Sequence, residues 1–253
     1  MVICMRDEYL ERLGIGLDRR GPSLEYLAEL QAAHLINVPF ENLDVFHRRG
    51  VSTDVGHSLE KILSRGRGGW RFELNGAFGW LLDKVGFEVQ YVSCRVFGAD
   101  GWGPPLDHCA LVVQVDGQRL FVDVGFGDCC MLPVPLIDGT HHGVPRPVRC
   151  KVDDDGFVIA DRQLDGSWVD QLWGAFEALP LAAFSPRSDF LQTEPGLGWT
   201  TKPFAARATD AHGSRITMRP GVLRRRESLG EFVARPVQSD QWSTLLDTHF
   251  GLR

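Results

Sequence analysis

The hydrophobic period of this chain switches from helical to alternating near Gly86. Ahead of it, apolar residues recur at three- and four-residue spacing; beyond it they alternate. A switch of this kind argues for helices followed by strands, an α+β chain, and against the repeated alternation that builds a parallel sheet.

In the first part a short amphipathic stretch covers 9–13. A stronger helix opens at Pro22-Ser23, with Ser23 as its expected N-cap. Leu24, Leu27, Leu30, Gln31 and His34 recur along it, and Pro39 ends it. Further helices are predicted over 58–63 and, after the Gly66-Arg67-Gly68-Gly69 turn, through Phe72, Phe78, Leu81 and Leu82 to Val85. Strands are predicted over 89–95, 110–114 and 119–123, with turns at Asp100-Gly101 and Asp116-Gly117. More follow at 146–152, 156–160 and 168–173. So long an antiparallel run suggests a barrel or a sandwich. Residues 180–200 are rich in Pro, Gly and Ser and read as a connection. A pair of strands (204–209, 215–218) and a helix over 239–249 complete a chain in three parts, divided as 1–85, 86–185 and 186–253.

The formal net charge is −6, so no phosphate-neutralising footprint and no nucleic-acid partner are expected. The dense basic run Arg224-Arg225-Arg226, followed by Glu227, reads as a solvated turn or helix start, with an anion contact as the alternative. No apolar stretch reaches the roughly 20 residues of a membrane span. The N-terminus, Met-Val-Ile-Cys-Met-Arg-Asp-Glu, turns charged within six residues and no secretory signal peptide is read there, so a cytoplasmic location and no membrane partner are expected. The six cysteines, at 4, 94, 109, 129, 130 and 150, form no C-x-x-C pair; reduced, mostly buried thiols and no metal site are expected.

Three local features bear on chemistry. Arg67-Gly68-Gly69-Trp70-Arg71 opens a helix, and the N–H groups and dipole there favour an anion or an activated thiol. The turn holds no Ser or Cys, so by itself it is either an anion-friendly helix start or a structural one. Asp107-His108-Cys109 begins an apolar strand. Asp123 stands inside the apolar run Val122–Val124, where an unpartnered carboxylate is very costly. Counted from the turn at 116–117, His108 and Asp123 lie about eight and seven residues out, close to cross-strand register. An Asp orienting a His is the base half of a triad.

Taken together, several strings resemble the arylamine N-acetyltransferases. They are His34-Leu35-Ile36-Asn37-Val38-Pro39-Phe40-Glu41-Asn42-Leu43-Asp44, Glu60-Lys61-Ile62, Arg67-Gly68-Gly69-Trp70 and Phe72-Glu73-Leu74-Asn75-Gly76. Val122-Asp123-Val124-Gly125-Phe126-Gly127, Thr201-Lys202-Pro203-Phe204, Thr209-Asp210, Leu245-Leu246 and Phe250-Gly251-Leu252 continue the series in the family's order over nearly the whole chain. The resemblance implies a helical bundle (1–85), a central antiparallel β-barrel (86–185) and, after a connection, a small α/β lid (186–253), around a cysteine-proteinase-like core. It implies acyl transfer from acetyl-CoA to an arylamine, hydrazine or arylhydroxylamine through a Cys-His-Asp triad. Close relatives in antibiotic pathways, a form of secondary metabolism, close polyketide chains by amide formation. The implied co-substrate is therefore an acyl-CoA or carrier-protein thioester, the partners a small molecule and an acyl carrier protein, with no resident cofactor. The base is His108 and its orienter Asp123; Phe40, Trp70, Val96, Phe126, Gly127 and Phe204 line the substrate site.

One departure decides the mechanism. The family's nucleophile directly follows Arg-Gly-Gly-aromatic, and here Arg71 holds that position. A guanidinium cannot form a thioester. Cys109 adjoins His108 but adjacent strand residues face opposite ways, whereas Cys129 and Cys130 follow the Gly125–Gly127 loop and have a route to the pocket. Arg71 needs a partner, with Asp123, Asp107 or an anionic ligand in reach. The sequence stops soon after Phe250-Gly251-Leu252, at Arg253, where many members of the family continue in a tail that in some shapes the CoA cleft. Three readings of Arg71 follow: a non-covalent acyl transferase or cyclase with His108 as base, a catalytically inactive ligand-binding homologue, or an altered sequence of an active enzyme.

Overall fold

A computed structural model describes residues 4–17, 20–128 and 130–253. The first part consists of helices α1 (Met5–Leu13) and α2 (Leu24–Asn37), a short strand β1 (Phe40–Glu41), and helices α3 (Leu43–Phe46), α4 (Val55–Leu59) and α5 (Arg71–Lys84). Ser23 caps α2 as expected, its Oγ accepting the Tyr26 N–H at 3.2 Å. The helix stops at Asn37 because Val38 precedes Pro39 and is held extended. The helical stretch expected near 58–63 begins earlier, as α4, and continues as a π-helical turn over Glu60–Ser64.

The central part is an antiparallel sheet of β2 (Glu88–Gly98), β3 (Gly101–Trp102), β4 (His108–Val115), β5 (Gln118–Val122), β6 (Val134–Pro135), β7 (Gly139–His141), β8 (Val148–Val152), β9 (Gly156–Arg162) and β10 (Trp168–Ala178). Its order is β6-β5-β4-β2-β10-β9-β8-β7, with β3 paired to β2, and β6 approaches β8, so the sheet nearly closes into a barrel. Alternation along β4 divides the core. Ala110 and Val112 face a cluster inside the barrel, while Cys109, Leu111 and Val113 face the helices, α5 above all.

Past the barrel, the segment expected to be a connection is helical. A 3₁₀ turn (Leu181–Phe184) leads into α6 (Ser185–Thr193), and a single turn, α7 (Gly198–Thr201), follows. Pro186 misleads as a loop residue because proline is favoured in the first helical turn, and Leu181, Phe184 and Leu191 bury the segment against the main core. The last part holds β11 (Ala205–Ala208), β12 (Arg215–Arg219), β13 (Val222–Arg226), β14 (Val233–Pro236) and α8 (Trp242–Phe250). β13 and β14 were not expected. The basic run is no turn or helix start but part of β13, where Arg226 is buried and holds Asp128 through both carboxylate oxygens at 2.5 and 2.8 Å. One face of this sheet packs Ile216, Met218 and Leu223 towards Leu246 and Phe250 of α8. Arg215, Thr217, Arg219 and Arg224 lie on the other face, which borders a cleft beside the barrel.

β1 joins the first part to the last. Phe40 pairs with Ala206 and Glu41 with Ala205, while Gly69 bridges Phe40 on the opposite edge. A Cβ at Gly68 would stand 2.1 Å from the Pro39 carbonyl oxygen, so the close approach of these two turns requires glycine there. Among the described residues, no helix is long and apolar enough to cross a membrane.

Candidate active site

The hairpin at Asp116-Gly117 has positive φ at both residues, 50° and 78°, the two-residue turn that fits a twisted ribbon. Its register pairs Val115 with Gln118 and Leu111 with Val122. One step further, Asp123 falls opposite Ala110, so His108 and Asp123 are diagonal neighbours on one face and do not stand directly across from each other. The His108 Nε2 lies 2.7 Å from Asp123 Oδ2, and both residues are buried. An ionised carboxylate only accepts, which assigns the proton of this contact to Nε2 and leaves the lone pair of Nδ1. That Nδ1 is buried and has no hydrogen-bond partner. The Phe126 ring meets the imidazole edge-on, with centroids 5.4 Å apart.

Asp123 is held from its other side. Its Oδ1 accepts the Asn75 Nδ2–H and the Gly125 N–H, each at 2.8 Å. Asn75 also donates to the Cys109 carbonyl at 2.6 Å and accepts the Val124 N–H at 2.9 Å, so one side chain ties α5 to β4 and to the end of β5. A Cβ at Gly125 would meet the Arg71 carbonyl oxygen at 2.5 Å and Asn75 Nδ2 at 2.7 Å. Sequence reading missed Asn75 as a site residue. The available signal was its spacing, four residues after Arg71 and so on the same face of α5.

Arg71 is the first residue of α5. The turn before it is fixed by Glu73, whose carboxylate accepts the Trp70 N–H at 2.8 Å and the Lys61 ammonium at 3.0 Å. Arg71 is 5% exposed. Its Nη1 donates to the Asp107 carbonyl oxygen at 2.5 Å, whereas the Asp107 carboxylate binds Arg187 at 2.6 Å. Among the described residues no carboxylate comes within 4.0 Å of the Arg71 guanidinium, although Asp107 and Asp123 are near enough to act on it through space. Its Cζ sits 4.3 Å above the Trp199 ring and 5.2 Å from that of Trp70. Burial lowers its pKa to about 10, against the opposing pull of Asp107 and Asp123.

Beside this centre lies a cavity of about 480 Å³. Phe40, Phe126, Trp199 and Phe204 are among its lining residues, with Gly127, and so are the cationic Lys202, Arg219 and Arg224. Trp70 and Val96 are not on its walls: Trp70 is wholly buried beneath Trp199, and Val96 packs in the barrel opposite Leu172. Trp199 was not singled out from the sequence. It lies in the segment read as a connection, and an aromatic among prolines and glycines was its only signal.

Among the described residues, the cysteines offer no nearby thiolate. Burial raises the pKa of Cys94, Cys109 and Cys130, and Cys109 faces away from His108 into the helical core. Cys130 borders a crevice by Pro145 and Arg146, apart from the aromatic cavity, and Cys129 lies outside the described residues.

A family model described as N-acetyltransferase matches residues 23–253. An arylamine N-acetyltransferase from Mycolicibacterium smegmatis is 34% identical over 213 residues, covering 80% of this chain and 76% of that protein. This chain belongs to the arylamine N-acetyltransferase family. Among solved arylamine N-acetyltransferases, the Salmonella typhimurium structure superposes with a TM-score of 0.91 at 25% identity, covering 100% of this chain and 92% of that one. The structure of the Mycobacterium marinum arylamine N-acetyltransferase in complex with CoA superposes at 0.87 and 27% identity, covering 97% and 92%. The α+β fold expected from the sequence, with helices, a nearly closed barrel and a final small sheet, is that of these arylamine N-acetyltransferases.

Proposed function

We propose that this chain transfers an acyl group from a thioester directly to an amine or hydroxyl, without an acyl-enzyme, and that His108 is the base. The observation that carries this reading is the state of the imidazole: Nε2 is held by Asp123, and Nδ1 is buried and unpartnered. A proton on an acceptor at Nδ1 would pass to that nitrogen as the acceptor's lone pair forms the new bond to the thioester carbonyl carbon. Collapse of the tetrahedral intermediate then breaks the C–S bond, and the imidazolium returns the proton to the departing thiolate. Arg71 supplies a fixed positive charge in a low-dielectric pit, where charge on the carbonyl oxygen is stabilised more strongly than in water.

A thioester of CoA or of a carrier protein is the donor class. The CoA complex of the Mycobacterium marinum relative supports the first source. The aromatic end of the cavity favours a flat or polyketide-like acceptor, as in a biosynthetic amide or ester closure. Steady-state assays with acyl-thioester and arylamine pairs test the reading. His108→Gln should lower kcat by roughly 10²–10⁴, and turnover unchanged by that substitution would refute the base.

A ligand-binding homologue without turnover is the second reading. It is favoured by the absence of Arg71, His108 and Asp123 from the cavity wall, where the rings of Trp199 and Phe126 cover Arg71 and His108 respectively. Absence of any acyl transfer together with specific ligand binding would select it.

A further inference from the structure

Among the described residues, four cationic side chains are buried: Lys61, Arg71, Arg215 and Arg226. Three lie within 4.0 Å of a carboxylate, Lys61 at Asp44 and Glu73, and both Arg215 and Arg226 at Asp128. Arg71 alone has none. Its Nε is buried without a hydrogen-bond partner, and two more such atoms, Trp70 Nε1 and His108 Nδ1, belong to its immediate surroundings. A buried guanidinium with an open edge is an incomplete ion pair, and planar carboxylates fit that edge.

The guanidinium is covered by the ring of Trp199. Its ring lies on Arg71, meets Trp70 at 5.6 Å, and faces Phe204 at 5.7 Å and Phe40 at 6.5 Å, so that it forms the partition between the pit and the aromatic cavity. It is carried on the single turn α7, tied down by Asn42, whose Nδ2 donates to the Trp199 carbonyl at 2.8 Å and to that of Lys202 at 3.0 Å. Ahead of α7, Gly196 has φ +85°, and a Cβ added at Gly196 or at Gly198 would meet nothing within 4 Å.

We propose that the pit behind Trp199 is a carboxylate site and that α7 is its lid, so that the ligand is an aromatic carboxylate. The carboxylate takes the open Nε edge of Arg71, and the ligand's ring replaces that of Trp199 among Phe40, Phe126 and Phe204. In the closed form Trp199 stands in for the ligand, its ring offsetting part of the cost of the buried cation. The lowering of the Arg71 pKa to about 10 agrees with a cation still short of a counter-charge.

This deepens the reading above by naming a ligand class, but its test needs no acyl donor, so failure of the site and failure of catalysis are separable. Binding of benzoate, with methyl benzoate as the uncharged control, is measured by titration calorimetry on the full chain. The wild type should bind benzoate and not the ester. Arg71→Met should weaken benzoate at least tenfold, with Arg71→Lys, which keeps the charge but not the fork, in between. Trp199→Ala should tighten benzoate about tenfold, because a lid closed nine-tenths of the time lowers apparent affinity by that factor. Thermal unfolding checks that each variant is folded, and Arg71→Lys serves if Arg71→Met is not. Equal binding of benzoate and its ester, benzoate affinity untouched by either Arg71 substitution, or no gain in Trp199→Ala would each overturn the proposal.

Discussion

Asn75 Nδ2 stands 2.8 Å from Asp123 Oδ1, on the side of the carboxylate away from His108. The helix that carries Arg71 therefore also aims the base. Asn75→Leu removes a donor to a buried carboxylate and an acceptor for the Val124 N–H, and should cost about 2–4 kcal/mol. Asn75→Asp keeps the acceptor but sets two carboxylates together. Both should unfold at lower urea concentration than the wild type, Asn75→Asp more so at pH 8 than at pH 5.

Incubation with an acetyl thioester should leave no adduct on the protein. Burial holds Cys94, Cys109 and Cys130 protonated, and position 71 is not a thiol. Intact-protein mass spectrometry reads the result directly. A stable gain of one acetyl group on a cysteine would replace the direct-transfer scheme with a covalent one.

Restoring a thiol is the converse experiment. Arg71→Cys places sulfur at the first position of α5, where unpaired N–H groups and the helix dipole favour a thiolate, beside His108. Alkylation by iodoacetamide at about pH 6 should then be faster at residue 71 than at the exposed Cys4. Equal rates would mean that the base side of the dyad does not reach that position.

Much of this arrangement was legible in the sequence, for physical reasons that differ by residue. The Asp116-Gly117 turn fixes a register, and a carboxylate in an apolar strand demands a partner, so His108 and Asp123 could be paired before any coordinates. The diagonal offset between them could not, because one residue of register is beyond a count from the turn. β13 was hidden because its buried Arg226 is paired with Asp128, a partner 98 residues away, and so breaks the apolar alternation by which strands are recognised. α7 was hidden because a single turn has no period to detect, and Trp199 gained its meaning only from a distant Arg71.

Acid should weaken the fold through His34. It is wholly buried, its Nε2 lies 2.9 Å from the Tyr9 hydroxyl, and burial, aided by Arg12, drops its pKa to about 3. Between about pH 6.5 and 3 the unfolded chain takes up a proton that the folded one refuses, so stability falls with pH at roughly 1.4 kcal/mol per unit. Above that window the term vanishes. Urea unfolding of wild type and His34→Gln between pH 4 and 7 should show a shallower slope in the variant, and parallel curves would exclude His34 as the source.

Gly125→Ala should damage both stability and any activity. The added methyl would collide with the backbone oxygen of Arg71 at 2.5 Å and with Asn75, which cannot both yield without moving the head of α5. A loss of about 1–3 kcal/mol is expected, measurable as a lower unfolding midpoint.

The two-residue strand Phe40–Glu41 also sets a timetable. Its partner, Ala205-Ala206, leaves the ribosome only after about 165 further residues have been added, on the order of 8–30 s at ordinary elongation rates. Throughout that interval the nascent helical part carries an unpaired strand edge next to the Gly69 turn. The newborn chain thus cannot complete the seat of Arg71 until Ala205 and Ala206 have emerged, and a chaperone that shields strand edges would find its client there.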